Sequence, residues 1–273
     1  MKRRPFQLSV MAAVAVAAVA LAGCGDDKAS STTTAKSGSG SGGSLVVCSD
    51  IPYEPMEFEA TKTSTPSGYT GFDIDLAQQI ASDNGKTLEV KVTPFDGIFA
   101  ALNAGSCDVI ASSVTITDDR KKNVDFSTPY FDSNQSLMVL KTNAGTFETL
   151  ADLKGKNIGV QSGTTGEEYV KKNTPAGATV TALPGAADLF AALKSGSIDA
   201  IVQDYPINAY RATQDDSVTI TDKIKTDEQY GMAVKKGNAA TLKVIDDGIA
   251  KAKSDGTYDK LYEKYFGEKP PTS

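Results

Sequence analysis

One stretch of this chain occurs twice. Residues 99–111 read FAALNAGSCDVIA and residues 190–202 read FAALKSGSIDAIV, with eight of thirteen positions identical and no gap. Each copy spells the end of a helix, a Gly-Ser turn, an aspartate and an apolar run of strand length. Two such units at this separation point to two similar α/β lobes rather than one continuous sheet. Chance agreement of a common helix–turn–strand composition is the alternative, and identities that include Phe, Gly and Asp weigh against it. The repeat also sets Cys107 opposite Ile198, so Cys107 belongs in a small apolar site.

The chain is long enough for one large or two small cores: 273 residues, 40% hydrophobic and 23% charged. It has a formal net charge of -6 and no histidine. An acidic chain without a basic block argues against nucleic acid as a partner. Lack of histidine removes Ser-His-Asp and Cys-His catalysis and most zinc sites.

The N-terminus reads as an address. Lys2-Arg3-Arg4 is a basic n-region, Leu8 to Ala22 an apolar h-region, and Leu21-Ala22-Gly23-Cys24 places small residues before a cysteine. This is a secretory signal over residues 1–23, similar to a bacterial lipobox in which Cys24 becomes the lipidated first residue. A plain signal peptide with an incidental cysteine is the alternative. Removing 23 residues takes away three basic and no acidic side chains, so the formal charge moves from -6 to -9. No other apolar run is long enough to span a bilayer. The expectation is a protein anchored outside the cytoplasm through Cys24. Residues 24–44, rich in Ser, Thr, Gly and Ala, read as a flexible tether.

Along the rest of the chain, Leu45 to Asp50 reads as a buried strand. Asp73 reads as the N-cap of a helix with Ile74, Ala77, Ile80 and Ala81 on its apolar face. A metal role for Asp73 and Asp75 is disfavoured, since no further acid is clustered with them. Asp108 to Ala111 reads as a buried parallel strand leading into Ser112-Ser113-Val114-Thr115-Ile116-Thr117-Asp118-Asp119-Arg120. Thr117 suits a helix N-cap and the two aspartates suit its positive end; Arg120 opposes that end unless it reaches an anion. One reading is a socket for a small carboxylate, with Ser113 and Thr115 beside the arginine. The other is an arginine paired on the surface with Asp118, Asp119 or Asp125. Gln161-Ser162-Gly163-Thr164-Thr165-Gly166-Glu167 opens a second helix with backbone N–H groups available to an anion, without the lysine of a nucleotide P-loop. Asp204, at the mouth of a buried strand, wants a cation or caps the helix that follows. Strands are expected at 218–220 and 228–234, and two amphipathic helices close the fold.

At this point the chain resembles the polar-amino-acid family of bacterial solute-binding proteins that serve ABC importers, solute-binding family 3. Gly71-Phe72-Asp73-Ile74-Asp75-Leu76 with the helix to Asn84 matches that family's signature, and SSVTITDDRKK, VDFSTPYF, VQSGTTGE and DGTYDKLYEKYFG follow in the family's order. The resemblance covers about residues 45–267. It implies a type II periplasmic-binding-protein fold, two α/β lobes joined by two hinge strands near 137–141 and 230–234, closing on a ligand like a flytrap. Lobe 1 would be residues 45–140 plus 230–269, and lobe 2 residues 141–229.

The resemblance also implies site roles. Arg120 would clamp a ligand α-carboxylate with help from Thr115 and Thr165. Asp204 would take the α-ammonium, with Ser113 contributing a carbonyl or hydroxyl. Asp50, Tyr53 and Phe95 would surround the side chain, and Gln161 and Gln203 sit where family members vary. Tyr53 and Phe95 can sandwich an extended side chain, and Asp50, with Glu54 or Glu57 near the mouth, can receive a cationic head. The lean is to arginine, lysine or ornithine; Ser112-Ser113 resembles basic-amino-acid binders more than glutamine binders. Glutamine or another neutral polar amino acid is the runner-up. An enzyme of the same fold acting on a small carboxylate is a further alternative that nothing in the residues requires. The expected partners are a free amino acid, ABC permease subunits and the membrane, with a monomeric chain, no metal and no cofactor.

Cys48 and Cys107 pose an open question. Parity in an oxidising compartment suggests a bridge. Strand register, with Asp50 and Ser113 level, sets Cys48 beside Ala111 and away from Cys107, which argues against one.

Overall fold

A computed structural model describes residues 42–60 and 65–271. The signal segment 1–23, Cys24 and the tether up to residue 41 lie outside the described residues. Among those described, no helix is long and apolar enough to cross a membrane.

Two five-stranded sheets organise the chain. In the first, the strands run in the order Thr87–Val92, Ser44–Ser49, Val109–Ile110, Ala233–Lys235 and Val124–Phe126. Its first three strands are parallel, and Ala233–Lys235 enters antiparallel between its two neighbours. In the second, the order is Val218–Tyr230, Phe131–Leu140, Ala200–Asp204, Asn157–Gln161 and Thr179–Leu183. The apolar cores are correspondingly separate: Leu45, Val47, Ile74 and Leu76 pack in one cluster, Leu137, Val139, Ile158 and Val160 in another. The repeated stretch supplies an equivalent piece to each sheet, helix Ile98–Asn103 with strand Val109–Ile110, and helix Ala186–Ser195 with strand Ala200–Asp204.

Three expectations need correction. The chain changes sheets earlier than residue 140: the whole strand Phe131–Leu140 pairs within the second sheet. The crossings therefore fall near 127–130 and 231–232, not near 137–141. Residues 218–230 form one strand rather than two, long enough to run beside Phe131–Leu140 along its length, with register breaks at 220–222 and 224–228. Asp73 is not a cap. The helix Phe72–Asp83 is entered through Gly71, whose φ is 127°. A Cβ at Gly71 would lie 2.2 Å from the Met56 carbonyl oxygen, so the family signature's glycine answers a close backbone approach. Phe72 then seats in a cage of Tyr130, Phe131, Tyr258, Tyr262 and Phe266 rings, which docks the C-terminal helix Thr257–Phe266.

Cys48 and Cys107 are joined by a disulfide, with Cα atoms 5.7 Å apart. The register argument missed by one residue, since Cys48 lies level with Ile110. More to the point, Cys107 precedes the strand. Asp108 bonds to Val46 through both its N–H and its carboxylate, and this brings the turn back across the first strand.

Candidate functional site

The loops at the ends of the two sheets meet around a tight cavity of about 10 Å³, lined by Asp50, Tyr53, Phe95, Ser112, Ser113, Thr115, Arg120, Gln161, Thr165 and Asp204, and also by Glu57 and Thr164. Gln203 is the one expected residue that does not line it. Neighbouring residues of a strand face opposite ways, so with Asp204 turned into the cavity Gln203 points away from it. A larger crevice of about 310 Å³ beside Glu54, Phe190, Lys194 and Arg211 also brings charged groups from both halves together, but there Lys194 and Arg211 are both already paired with Asp215. It is also where Glu54 sits, apart from Glu57.

Arg120 rides on a short helix, Asp118–Lys121, whose first turn is held by Thr117: the Thr117 hydroxyl accepts from the Arg120 N–H at 3.1 Å. The guanidinium reaches back over the Phe95 and Phe99 rings, 5.4 and 5.3 Å from their centres. It donates to the Thr115 carbonyl at 2.8 Å and, across the cleft, to the Gly163 carbonyl at 3.1 Å. The surface-pair reading fails, because each candidate acid is engaged elsewhere. Asp118 pairs with Lys121, Asp119 with Lys122 and Asp125 with Lys236. Among the described residues Arg120 makes no ion pair within 4.0 Å. Facing it, the turn at Gly163 leads into helix Thr165–Asn173, capped by the Thr164 hydroxyl.

Asp204 stands at the other end. It is 7% exposed and makes no capping bond to the helix Tyr205–Gln214 that follows, which begins instead with Pro206 in its first turn. Its Oδ1 accepts from Gln135 Nε2 at 2.6 Å and its Oδ2 from the Tyr230 hydroxyl at 2.6 Å. No cation meets it. Burial, together with the Glu228 carboxylate, pushes its carboxyl up to about 6 against the hydrogen bonds that favour the charge.

Three more acids gather on the first half. Asp50, at the end of its strand, accepts from Gln161 Nε2 of the other half, and burial pushes its carboxyl up to about 6. Glu57 is fully buried. Its carboxyl accepts from the Ser112 hydroxyl at 3.0 Å and is held well above the usual carboxylate range by burial and then by Asp73. Asp73 lies behind the cavity, accepting from the Ser113 N–H at 2.7 Å and the Tyr130 hydroxyl at 2.7 Å. Ser113 has a φ of 50°, rare for a residue with a side chain, and the Asp73 bond holds it there. Asp73 thus shapes the cavity's rim rather than capping its own helix. Burial raises its carboxyl to about 7.

Two site residues were not anticipated. Gln135 and Glu228 sit on the paired strands Phe131–Leu140 and Val218–Tyr230. Glu228 Oε2 accepts from the hydroxyls of Thr115 at 2.7 Å and Thr165 at 2.8 Å, and its Oε1 from Gln135 Nε2 at 3.0 Å. The signal available was the polar run Asp132-Ser133-Asn134-Gln135-Ser136, which fills half of a ten-residue strand. The arrangement as a whole offers a fixed guanidinium, a facing buried carboxylate and a flanking acidic, aromatic wall. Such a set can hold a small zwitterion. No group of three or more acids or cysteines among the described residues is arranged for a metal ion.

The repeat leaves a trace here. Arg211 lies 91 residues after Arg120, the repeat's own spacing carried past its end, and it lies over Phe190, 4.9 Å from the ring centre, as Arg120 lies over Phe99. Arg211, however, is paired with Asp215 at 2.8 Å.

Comparison with known proteins gives one consistent picture. The family model of bacterial extracellular solute-binding proteins, family 3, matches residues 45–268. The L-cystine-binding protein TcyJ of Escherichia coli K12 is 37% identical over 227 residues, 82% of this chain and 83% of that protein. The crystal structure of an ancestral arginine-binding protein bound to arginine is 42% identical with a TM-score of 0.77, covering 82% of this chain and 99% of that one. An ancestral amino acid-binding protein described as a precursor of cyclohexadienyl dehydratase is 40% identical with a TM-score of 0.76, covering 82% and 96%. The fold is that of two-lobed binding proteins.

Proposed function

The chain belongs to the bacterial extracellular solute-binding proteins of family 3, and from that premise we propose that it captures a free amino acid between its two halves for an ABC importer. The observation that carries this reading is that one cavity is lined both by an arginine without an acid partner and by a buried aspartate without a basic partner among the described residues. Arg120 and the N–H groups at the start of helix Thr165–Asn173 take the α-carboxylate; Asp204 takes the α-ammonium. Charge-assisted hydrogen bonds contribute about 1.5–3 kcal/mol each. Micromolar binding needs about 8 kcal/mol, so these contacts alone supply most of it.

The side chain extends along Tyr53 and Phe95 toward Asp50 and Glu57. With Asp204 and Glu228, and leaving aside Glu57, whose carboxyl is held well above the usual range, three carboxyl groups stand around one guanidinium, an imbalance that suits a cationic side chain: arginine, lysine or ornithine. A neutral polar amino acid is the second reading, favoured by one contact. Asp50 already accepts from Gln161, and that pair can serve an amide or hydroxyl without an added charge. The similarity to a cystine-binding protein fits this second reading. Cys24 anchors the protein outside the cytoplasm, where it delivers its ligand to permease subunits. A catalytic reading has no residue to carry it beyond these carboxyls.

The deciding experiment is thermal unfolding of ligand-stripped protein against the common amino acids plus ornithine. A ligand at a hundredfold excess over Kd adds about 2.7 kcal/mol of stability. A shift confined to basic amino acids supports the first reading; one confined to neutral polar amino acids supports the second. No shift with any of them defeats both.

A further inference from the structure

Glu228 is placed with unusual local care. Between Ile224 and Glu228 the strand advances four residues while its partner goes from Gln135 to Ser133. In this bulge Asp227 adopts a φ of 50°, a conformation that disfavours any residue with a side chain. Asn134 Oδ1 pins it by accepting from the N–H groups of Thr226 at 2.9 Å and Asp227 at 3.1 Å, and the Thr226 hydroxyl accepts from the Gln135 N–H at 3.1 Å. The product of this distortion is one carboxylate aimed at the cavity's rim. There a single oxygen accepts hydroxyl hydrogens from both halves: Thr115 follows the first sheet, and Thr165 opens a helix on the second. The two hydroxyl oxygens stand 3.5 Å apart.

A hydroxyl has one hydrogen to donate and two lone pairs. With both hydrogens turned to Glu228, Thr115 and Thr165 present only lone pairs to the cavity. We propose that Glu228 is a positioning residue for ligand capture: it orients the Thr115 and Thr165 hydroxyls as acceptors and ties the two halves together across the cleft. The Thr115 oxygen then joins Asp204 in receiving an ammonium, while the carboxylate is left to Arg120 and backbone N–H groups. Opening the cleft breaks one threonine bond to Glu228, so closure has a contact of its own before any ligand arrives. This inference rests on the cavity being an amino-acid site only for its effect on affinity; the tie across the cleft does not.

The test uses E228Q, E228A, T165V and the E228Q/T165V double variant, titrated calorimetrically with L-arginine and L-glutamine beside the unaltered protein. An amide presents one oxygen and an NH2 group, and cannot accept all three of Glu228's donors. E228Q should therefore weaken whichever amino acid the unaltered protein binds by about tenfold, as expected for a misdirected hydrogen bond. T165V should do the same, and the double variant should be no weaker than E228Q, because each change removes the same arrangement. Small-angle X-ray scattering without ligand should give a larger radius of gyration for E228A than for the unaltered protein. If E228A does not fold, E228Q serves for that comparison. Losses that multiply in the double variant, or E228Q binding as the unaltered protein does, overturn the positioning role. If the unaltered protein binds neither these nor any other amino acid, it is the proposed function that fails. The inference then stands or falls on the scattering alone, and an unchanged radius overturns it.

Discussion

Acidity should separate a cationic ligand from a neutral one. In the empty protein both Asp50 and Asp204 titrate near 6, each raised chiefly by burial. An ammonium placed against either carboxyl binds its charged form only. A carboxyl with its midpoint near 6 is about nine-tenths charged at about pH 7 and about one-tenth charged at about pH 5. A ligand whose only ammonium faces Asp204 therefore loses about tenfold in affinity over that interval, or about 1.4 kcal/mol. A ligand that also sets a cationic head against Asp50 loses about a hundredfold. Titration calorimetry with L-arginine and L-glutamine at the two acidities reads this directly, and Asp50→Asn should reduce the arginine slope to the glutamine slope. Equal slopes for the two ligands in the unaltered protein would refute the role given to Asp50. Affinity independent of pH for both would refute the role given to Asp204.

Stability of the empty protein should run the other way. Asp73 and Asp204 have folded-state values above their unfolded ones, so their contribution is full below about pH 4 and is lost as pH rises through about 6 to 7; for Asp73 the span corresponds to at most about 4 kcal/mol. Denaturant titrations at several pH values check it, and Asp73→Asn should flatten the slope. Arg120→Ala should cost binding about a hundredfold or more and also lower the thermal midpoint of the protein without ligand, since it removes two carbonyl bonds and the packing over Phe95 and Phe99; titration calorimetry and thermal unfolding read the two effects separately. Gly71→Ala should destabilise by about 3 kcal/mol or more, because the added carbon meets the Met56 carbonyl oxygen and the backbone is in a glycine conformation; calorimetry should show a midpoint lower by about 6–12 °C. Reducing the Cys48–Cys107 bridge, which spans 59 residues, should lower stability by about 4 kcal/mol on the chain-entropy account, measured by denaturant titration with and without reductant.

What was legible in the sequence was chemistry out of place in a local pattern. Arg120 stands at the wrong end of a helix, and Asp204 interrupts an apolar strand at its mouth. Both end in the cavity. The repeat was legible as two sheets because it needs no long-range contact to be seen. Glu228 and Gln135 were not legible. They reach the site through a bulge whose geometry depends on Asn134, 93 residues before Asp227 in sequence. Gln203 was misjudged for a local reason, since strand residues alternate faces and only one of two neighbours can enter the cavity. Asp73 looked like a cap because acids favour first turns, yet its acceptor role belongs to Ser113, forty residues on.

The two stacked arginines carry a lesson about how duplicated halves diverge. Arg120 and Arg211 lie beyond the repeat but keep its 91-residue spacing, and each rests on one of the repeat's matching phenylalanines, so each half carries a guanidinium braced on a ring. Asp215 ends the ten-residue helix Tyr205–Gln214 that carries Arg211, whereas the helix that carries Arg120, Asp118–Lys121, is a single turn and Val124 already opens the next strand. Where the aspartate is present, its charge is met at home and the arginine serves as masonry. Around Arg120 no acid stands within 4.0 Å among the described residues, and the charge is left unanswered there. Under the proposed function, the lack of an acid beside it is what leaves one of two braced arginines open to a group from outside.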